Sequence, residues 1–396
     1  MNKFLLTMML AMIATMAIMA QDETPWFVDR WDMHRPSEKA KDMPRIKVED
    51  NHFITPDGKT ILFRGIAISD PDKVERQGHW NKAHFEKVKA LGANIIRIPI
   101  HPVAWRERTP AAYLNLLDQA VDWCTDLNMY VMLDWHTIGN LEMEMFQDPM
   151  YVTTKQETFD FWRKIAARFA GNNTVAFYEL FNEPTTYRGQ LGVCSWSDWK
   201  RLVENIITII RYSDKEAIPI VGGFDWAYDL TPLRQEPINA EGIAYSVHPY
   251  SNKSPQPWAA TWEENFGFAA NTWPVFATEF SHDSMDMPEL IDPAKGFAPG
   301  NFKLKDPAKG AVFDNFVMKK SEPIDLKGDH YGNQIISYLE RKGISWTIWV
   351  FDPEWGGSKI KSWNYEPTEG SKFFSEAMKG NLDVQKKLKQ QQSEKK

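Results

Sequence analysis

The chain has 396 residues, 43% hydrophobic and 25% charged, which is the composition of a folded domain with a sizeable core rather than of a disordered segment. A formal net charge of −7 comes with nothing resembling a basic patch, which argues against a nucleic-acid-binding protein. Two cysteines, Cys124 and Cys194, are too few for a disulfide framework, and without spaced His partners they do not suggest structural zinc.

Residues 1–20 (MNKFLLTMMLAMIATMAIMA) place Lys3 before an apolar run that stops at Gln21. This is the pattern of a signal peptide, so the expected destination is the periplasm or the medium, and no later segment reads as a membrane span. Residues 21–45 are mixed and polar and read as an N-terminal arm. Alternating apolar runs on either side of Pro56-Asp57-Gly58 then predict a β-hairpin.

From there short apolar runs alternate with longer amphipathic ones. Strand-like segments are expected at 61–69, 94–100, 130–136, 174–183, 218–224, 242–248, 274–280 and 344–351. Helix-like segments lie between them, several closing on Gly92, Gly171 or Gly343. Eight such alternations over one length of chain predict an α/β fold, the TIM (β/α)8 barrel, over residues 46–383. An open doubly wound sheet is disfavoured by the lack of a Gly-rich loop after the first strand. Residues 283–328 form a long Pro-, Gly- and Lys-rich insertion after the seventh strand, on the face where βα loops build active sites. The Lys/Gln-rich tail 384–396 is expected to be disordered.

The polar residues that stand out fall at or near strand ends, the active face of such a barrel. Glu183 closes the fourth strand (YELFNEP) and Glu279 the seventh (PVFATEFS). Strands four and seven lie nearly opposite in an eight-stranded barrel, so the two carboxyl groups would face each other across its mouth. Glycoside cleavage needs such a pair, one to protonate the leaving oxygen and one to act as nucleophile or base. Alternation would put Glu179 deeper on the same face as Phe181 and Glu183, where a buried carboxylate needs a partner, and Arg97 in IIRIPI is the natural one. Asn182 could bond a sugar hydroxyl. His136 (LDWH), His248 and Tyr250 (SVHPY) could bond the two glutamates and the sugar, with Tyr250 near the nucleophile. Trp349 in ISWTIWVF, favoured over Trp346, would floor the subsite where the bond breaks. Trp226, Tyr228, Trp258, Trp262 and Trp355 are candidate stacking platforms. A metal site would have to combine Asp134, His136, His248 and Glu279, and no spacing of the HExxH kind supports it.

With these motifs together, the chain resembles glycoside hydrolase family 5 from about Lys47 to about Gly380. The resemblance implies that Glu183 is the general acid/base and Glu279 the nucleophile, with Arg97, His136, Asn182, His248, Tyr250 and Trp349 as substrate-binding residues. It implies retention of configuration, no metal or organic cofactor, and a β-linked polysaccharide or oligosaccharide as substrate, an endo-β-1,4-glucanase being the expected activity. A β-mannanase or an exo-acting β-glycosidase is the alternative within the family, and the 283–328 insertion leaves room for exo action. A catalytically silent carbohydrate-binding protein is the alternative outside it.

Overall fold

The computed structural model describes residues 41–282, 296–300 and 330–394. The 1–20 segment, most of the 21–45 arm and all of the 283–328 insertion except 296–300 lie outside the described residues. Eight parallel strands close into a barrel: β1 (Arg64–Ile68), β2 (Ile95–Ile100), β3 (Tyr130–Trp135), β4 (Val175–Glu179), β5 (Ile218–Gly222), β6 (Ala244–Val247), β7 (Val275–Ala277) and β8 (Ser345–Phe351). Each strand pairs with its neighbours in the chain, and β8 pairs with β1 to complete the circle. This is the TIM barrel expected from the alternation, and each strand falls inside its predicted run.

Helices pack on the outside: α1 (Lys82–Ala90), α2 (Pro110–Asp126), α3 (Lys155–Phe169), α4 (Trp196–Ser213), α5 (Trp258–Asn265), α6 (Tyr331–Lys342) and α7 (Glu369–Met378). Their starts are built from local chemistry. Thr154 accepts from the Glu157 amide to open α3, and Ser195 with Asp198 forms a reciprocal capping box on α4. At the other end of α6, Gly343 is left-handed (φ 68°), a conformation that costs other residues energy.

Strand alternation sorts the barrel interior into layers. The lowest is aromatic: Phe53, Phe63, Phe177 and Phe276 pack with centroids 4.8–6.3 Å apart. Phe53 comes from a hairpin of Lys47–Glu49 with His52–Ile54 that plugs the barrel floor. The hairpin turns at Asp50 and Asn51. The Pro56–Gly58 turn, expected to join it, instead folds the chain back through a single Ile54–Thr60 bridge. The predicted register is displaced because Asp50 takes a left-handed conformation (φ 50°), which lets the chain reverse earlier.

The tail departs from expectation. Asp383–Glu394 is a helix, α8, rather than disordered chain. Gln385 ties it down through bonds to the Ala377 carbonyl (2.8 Å) and to Glu340 (2.9 Å). Lys and Gln are good helix formers, so a polar tail with a docking contact becomes ordered. Among the described residues no helix is long and apolar enough to cross a membrane.

Candidate active site

Arg97 points inward from the middle of β2 and is wholly buried. Its guanidinium donates to Glu179 (2.6 Å), Glu279 (2.8 Å) and Asn182 Oδ1 (2.7 Å), and lies 3.0 Å from Asp134. The expected Arg97–Glu179 pair is therefore one arm of a larger hub. Burial alone would lower the Arg97 pKa, but the three carboxylates raise it, and the cation is permanent. Glu179 in turn stays below the ordinary carboxylate range: burial pushes it up, and Arg97 and His248 outweigh that. Arg97 was expected among the groups that contact substrate. Protein acceptors surround it at zero exposure, so it organises the site from beneath instead.

Above this hub stand the two glutamates, each 7% exposed and thus able to reach the cleft. Glu279 Oε2 takes the Arg97 bond, and Oε1 accepts from the Tyr250 hydroxyl at 2.7 Å. Burial pushes the Glu279 carboxyl above its ordinary value, with Glu183 adding to the rise, while His248, Arg97 and the Tyr250 hydroxyl pull against it. Glu183 Oε1 lies 2.9 Å from His248 Nδ1. The other ring nitrogen meets Thr278 Oγ1 at 3.0 Å, and Thr278 donates on to Glu179 at 2.6 Å. Burial would lower the His248 pKa, but Glu279, Glu179 and Glu183 around it raise it to about 9, so the imidazole is a cation at neutral pH. A carboxylate oxygen of Glu183, one of Glu279 and a nitrogen of His248 all lie within 4.8 Å of one another.

Three such groups can in general hold a metal ion. Here both His248 nitrogens are engaged by protein atoms, Glu183 Oε1 and Thr278 Oγ1. Of the other candidate ligands, Asp134 and His136 bond each other (2.6 Å) outside this cluster.

His136, neutral because burial lowers its pKa well below the usual range, stacks parallel to Trp349 with centroids 5.4 Å apart. Trp349 thus stands beside His136, whereas Trp346 packs outward against Phe280 and Phe374. Trp355 meets Trp349 edge-on at 6.0 Å. The other aromatic candidates divide. Trp258 and Trp262 are buried on α5 against Tyr331, and Tyr228 is buried against Phe266; none is a platform. Trp226 remains half-exposed beyond β5, its ring nitrogen donating to Gln147 (2.8 Å).

Some residues of the site were not foreseen from the sequence. Thr278 stands two residues after the inward-facing Phe276 and shares its face by alternation, while Glu279 beside it also reaches the site because regular pairing ends at Ala277. The same happens after Glu179. Phe181, expected on its face, packs outward on Trp199, while adjacent Asn182 and Glu183 both face the site. His101 was also missed. It follows β2, bonds Asp70 through its amide at 2.8 Å, and packs edge-on to His136 at 4.6 Å.

Comparison with known proteins decides the family. The sequence pattern described as Cellulase (glycosyl hydrolase family 5) matches residues 55–295. The chain belongs to glycosyl hydrolase family 5. Within family 5 it is similar to a beta-glucanase of known structure from Saccharophagus degradans, 42% identical with a TM-score of 0.74, over 89% of this chain and 98% of that one. It is also similar to Endoglucanase A of Butyrivibrio fibrisolvens, 27% identical over 223 residues, 54% of this chain and 47% of that protein. Endoglucanase E-5 of Thermobifida fusca is 29% identical over 200 residues, 48% of this chain and 39% of that protein. The chain thus spans about half, or less, of the length of these curated relatives.

Proposed function

We propose that this family 5 protein is an exported, retaining endo-β-glucanase in which Glu279 is the nucleophile and Glu183 the general acid/base. The observation that carries the reading is the approach of the two carboxylates, with an oxygen of each within 4.8 Å of the other. Retaining enzymes need about 5–5.5 Å between carboxyl groups, whereas inverting ones need about 6.5–9.5 Å to admit a water. In the first step a Glu279 oxygen attacks the anomeric carbon. The glycosidic bond breaks as Glu183 gives its proton to the departing oxygen. In the second, Glu183 takes a proton from water, the water oxygen bonds the anomeric carbon, and the bond to Glu279 breaks. Arg97 and Tyr250 occupy one Glu279 oxygen each, which sets its rotamer and favours its charged form. Asn182 has its carbonyl on Arg97 and its amide nitrogen without a protein partner, which suits donation to a sugar hydroxyl beside the reacting carbon.

The β-glucan assignment draws support from the relatives: a beta-glucanase and endoglucanases by name, and a complex of the Saccharophagus degradans enzyme with cellotetraose at 41% identity. Export rests on the 1–20 pattern. The test is product analysis on carboxymethyl-cellulose, mixed-linkage β-glucan, glucomannan and galactomannan. β-Anomeric oligosaccharides of mixed length from a β-glucan, lost in Glu183→Ala and Glu279→Ala, are expected. Azide should rescue Glu279→Ala as an α-glycosyl azide. Initial release of α-anomers by the wild type would refute retention, and release of one short product only would refute endo action.

A further inference from the structure

The two glutamates are mounted differently. Glu279 lies between two residues bonded into the barrel: Thr278 N–H donates to Val247 at 3.2 Å, and Phe280 O accepts from Trp349 at 2.8 Å. Its backbone is therefore fixed by β6 and β8. Glu183 lies four residues past the end of β4 and is held to the barrel on one side only, where the Asn182 N–H donates to Trp135 O of β3 (3.1 Å). The Glu183 N–H donates to Thr137 O (3.0 Å), and the Thr185 N–H donates to Gly139 O (2.9 Å). Glu183-Pro184 is thus one strand of a small separate sheet, parallel to Ile138–Asn140, which pairs antiparallel with Met145-Phe146.

That sheet has a further member. Phe297 forms an antiparallel bridge with Phe146, through bonds of 2.8 Å (Phe146 N–H to Phe297 O) and 2.9 Å (Phe297 N–H to Phe146 O). The register runs Pro184, Gly139, Phe146, Phe297 in one continuous row. The row is tightly packed. A Cβ on Gly139 would come within 2.5 Å of Met145 O, and one on Gly296 within 2.6 Å of Leu191 and 2.9 Å of Met145. Gln147, next to Phe146, also holds the Trp226 indole. Phe297 belongs to the chain segment that follows the strand of Glu279. The outermost strand of the sheet that carries one glutamate is therefore supplied by the stretch leaving the other.

We propose that Phe297 is a positioning residue for Glu183, its backbone completing the sheet that sets the acid's distance from Glu279. This rests on the acid/base role of Glu183 argued above. Loss of the outer strand lets the Glu183 backbone relax while Glu279 stays fixed to the barrel. The defect is then selective for proton donation, not for substrate binding or nucleophilic attack.

The test uses the full chain with Phe297→Pro, which removes the N–H of the bridge, and Gly296→Val, whose added side chain presses on the ends of the Leu191 and Met145 side chains beside the same strand. Phe297→Leu keeps both bonds and an apolar side chain against the core, and is the control for the ring. Each is assayed for kcat/KM on a cello-oligosaccharide, whose leaving group needs a proton, and on 2,4-dinitrophenyl β-cellobioside, whose leaving group does not. Glu183→Ala serves as the reference for a lost acid. A positioned general acid contributes about 10²–10⁴-fold. We expect Phe297→Pro to lose at least about tenfold on the oligosaccharide yet stay within about threefold on the dinitrophenyl substrate, Gly296→Val to show a smaller loss of the same selectivity, and Phe297→Leu to keep the wild-type ratio between the two. Equal losses on both substrates, or no loss on either, overturn the proposal. If Glu183→Ala itself shows no difference between the substrates, the acid assignment fails rather than the role of Phe297.

Discussion

Replacing Tyr250 with Phe removes a single oxygen and tests how Glu279, the proposed nucleophile, is kept charged. The hydroxyl donates to Glu279 Oε1 at 2.7 Å in a site where Glu279 is only 7% exposed. A hydrogen bond to a charged acceptor is worth about 1.5–3 kcal/mol, and about 1.4 kcal/mol corresponds to one pH unit. The bond stabilises the carboxylate over the carboxylic acid, so its loss raises the Glu279 pKa, which burial already holds above the ordinary value. The acid limb of kcat/KM, where Glu279 becomes protonated, should then move up by about 1–2 pH units. The alkaline limb should stay where it is. The assay is initial rate on soluble β-glucan at low concentration from pH 4 to 9, wild type beside Tyr250→Phe. An acid limb that does not move, or moves down, refutes the argument that this hydroxyl holds Glu279 ionised.

Other outcomes follow from the same geometry. His248 is raised to about 9 from an ordinary 6.5, so the stability it contributes is fully present below about pH 6.5 and lost as pH rises through about 9; the urea midpoint should fall over that window, and a rising midpoint would count against the imidazolium. Arg97→Met leaves Glu179, Asp134 and Glu279 without their cation, and should cost about 3–5 kcal/mol in denaturant unfolding; a loss under about 1 kcal/mol would mean that the hub is not the buried charge cluster described. Gly139→Ala crowds Met145 O in the small sheet and should lower glucanase activity by tenfold or more, on the order of 1.4 kcal/mol in the barrier, with the barrel's circular dichroism unchanged; full activity would show that the sheet tolerates the methyl group.

Periodicity made the barrel legible because parallel strands buried on both faces and helices with one apolar face have distinct repeats, and both run the whole length of this chain. Arg97, Glu179, His248 and Tyr250 were readable for the same reason: each lies on, or just past, a regular strand where alternation fixes its face. Reading failed where regular pairing stopped. Beyond Glu179 and Ala277 the backbone bends, so Phe181 turns out, and Asn182 and Glu279 turn in, against the period of two. Tryptophans misled because a ring suited to stacking on a sugar is equally suited to packing, as Trp258 and Trp262 do beneath Tyr331. The bridge at Phe297 joins residues 151 positions apart, with no local pattern to announce it.

The aromatic floor of the barrel has a consequence for the charges above it. Phe53, Phe63, Phe177 and Phe276 seal the lower end of the channel in which Arg97 and Glu179 are paired. Both side chains are wholly buried, so dissolved ions do not touch the pair. Dissolved salt at 0.1 M screens exposed charges over about 10 Å but acts far less on enclosed ones. The electrostatics that hold the two glutamates in place are thereby insulated from the ionic composition of the solution around the protein.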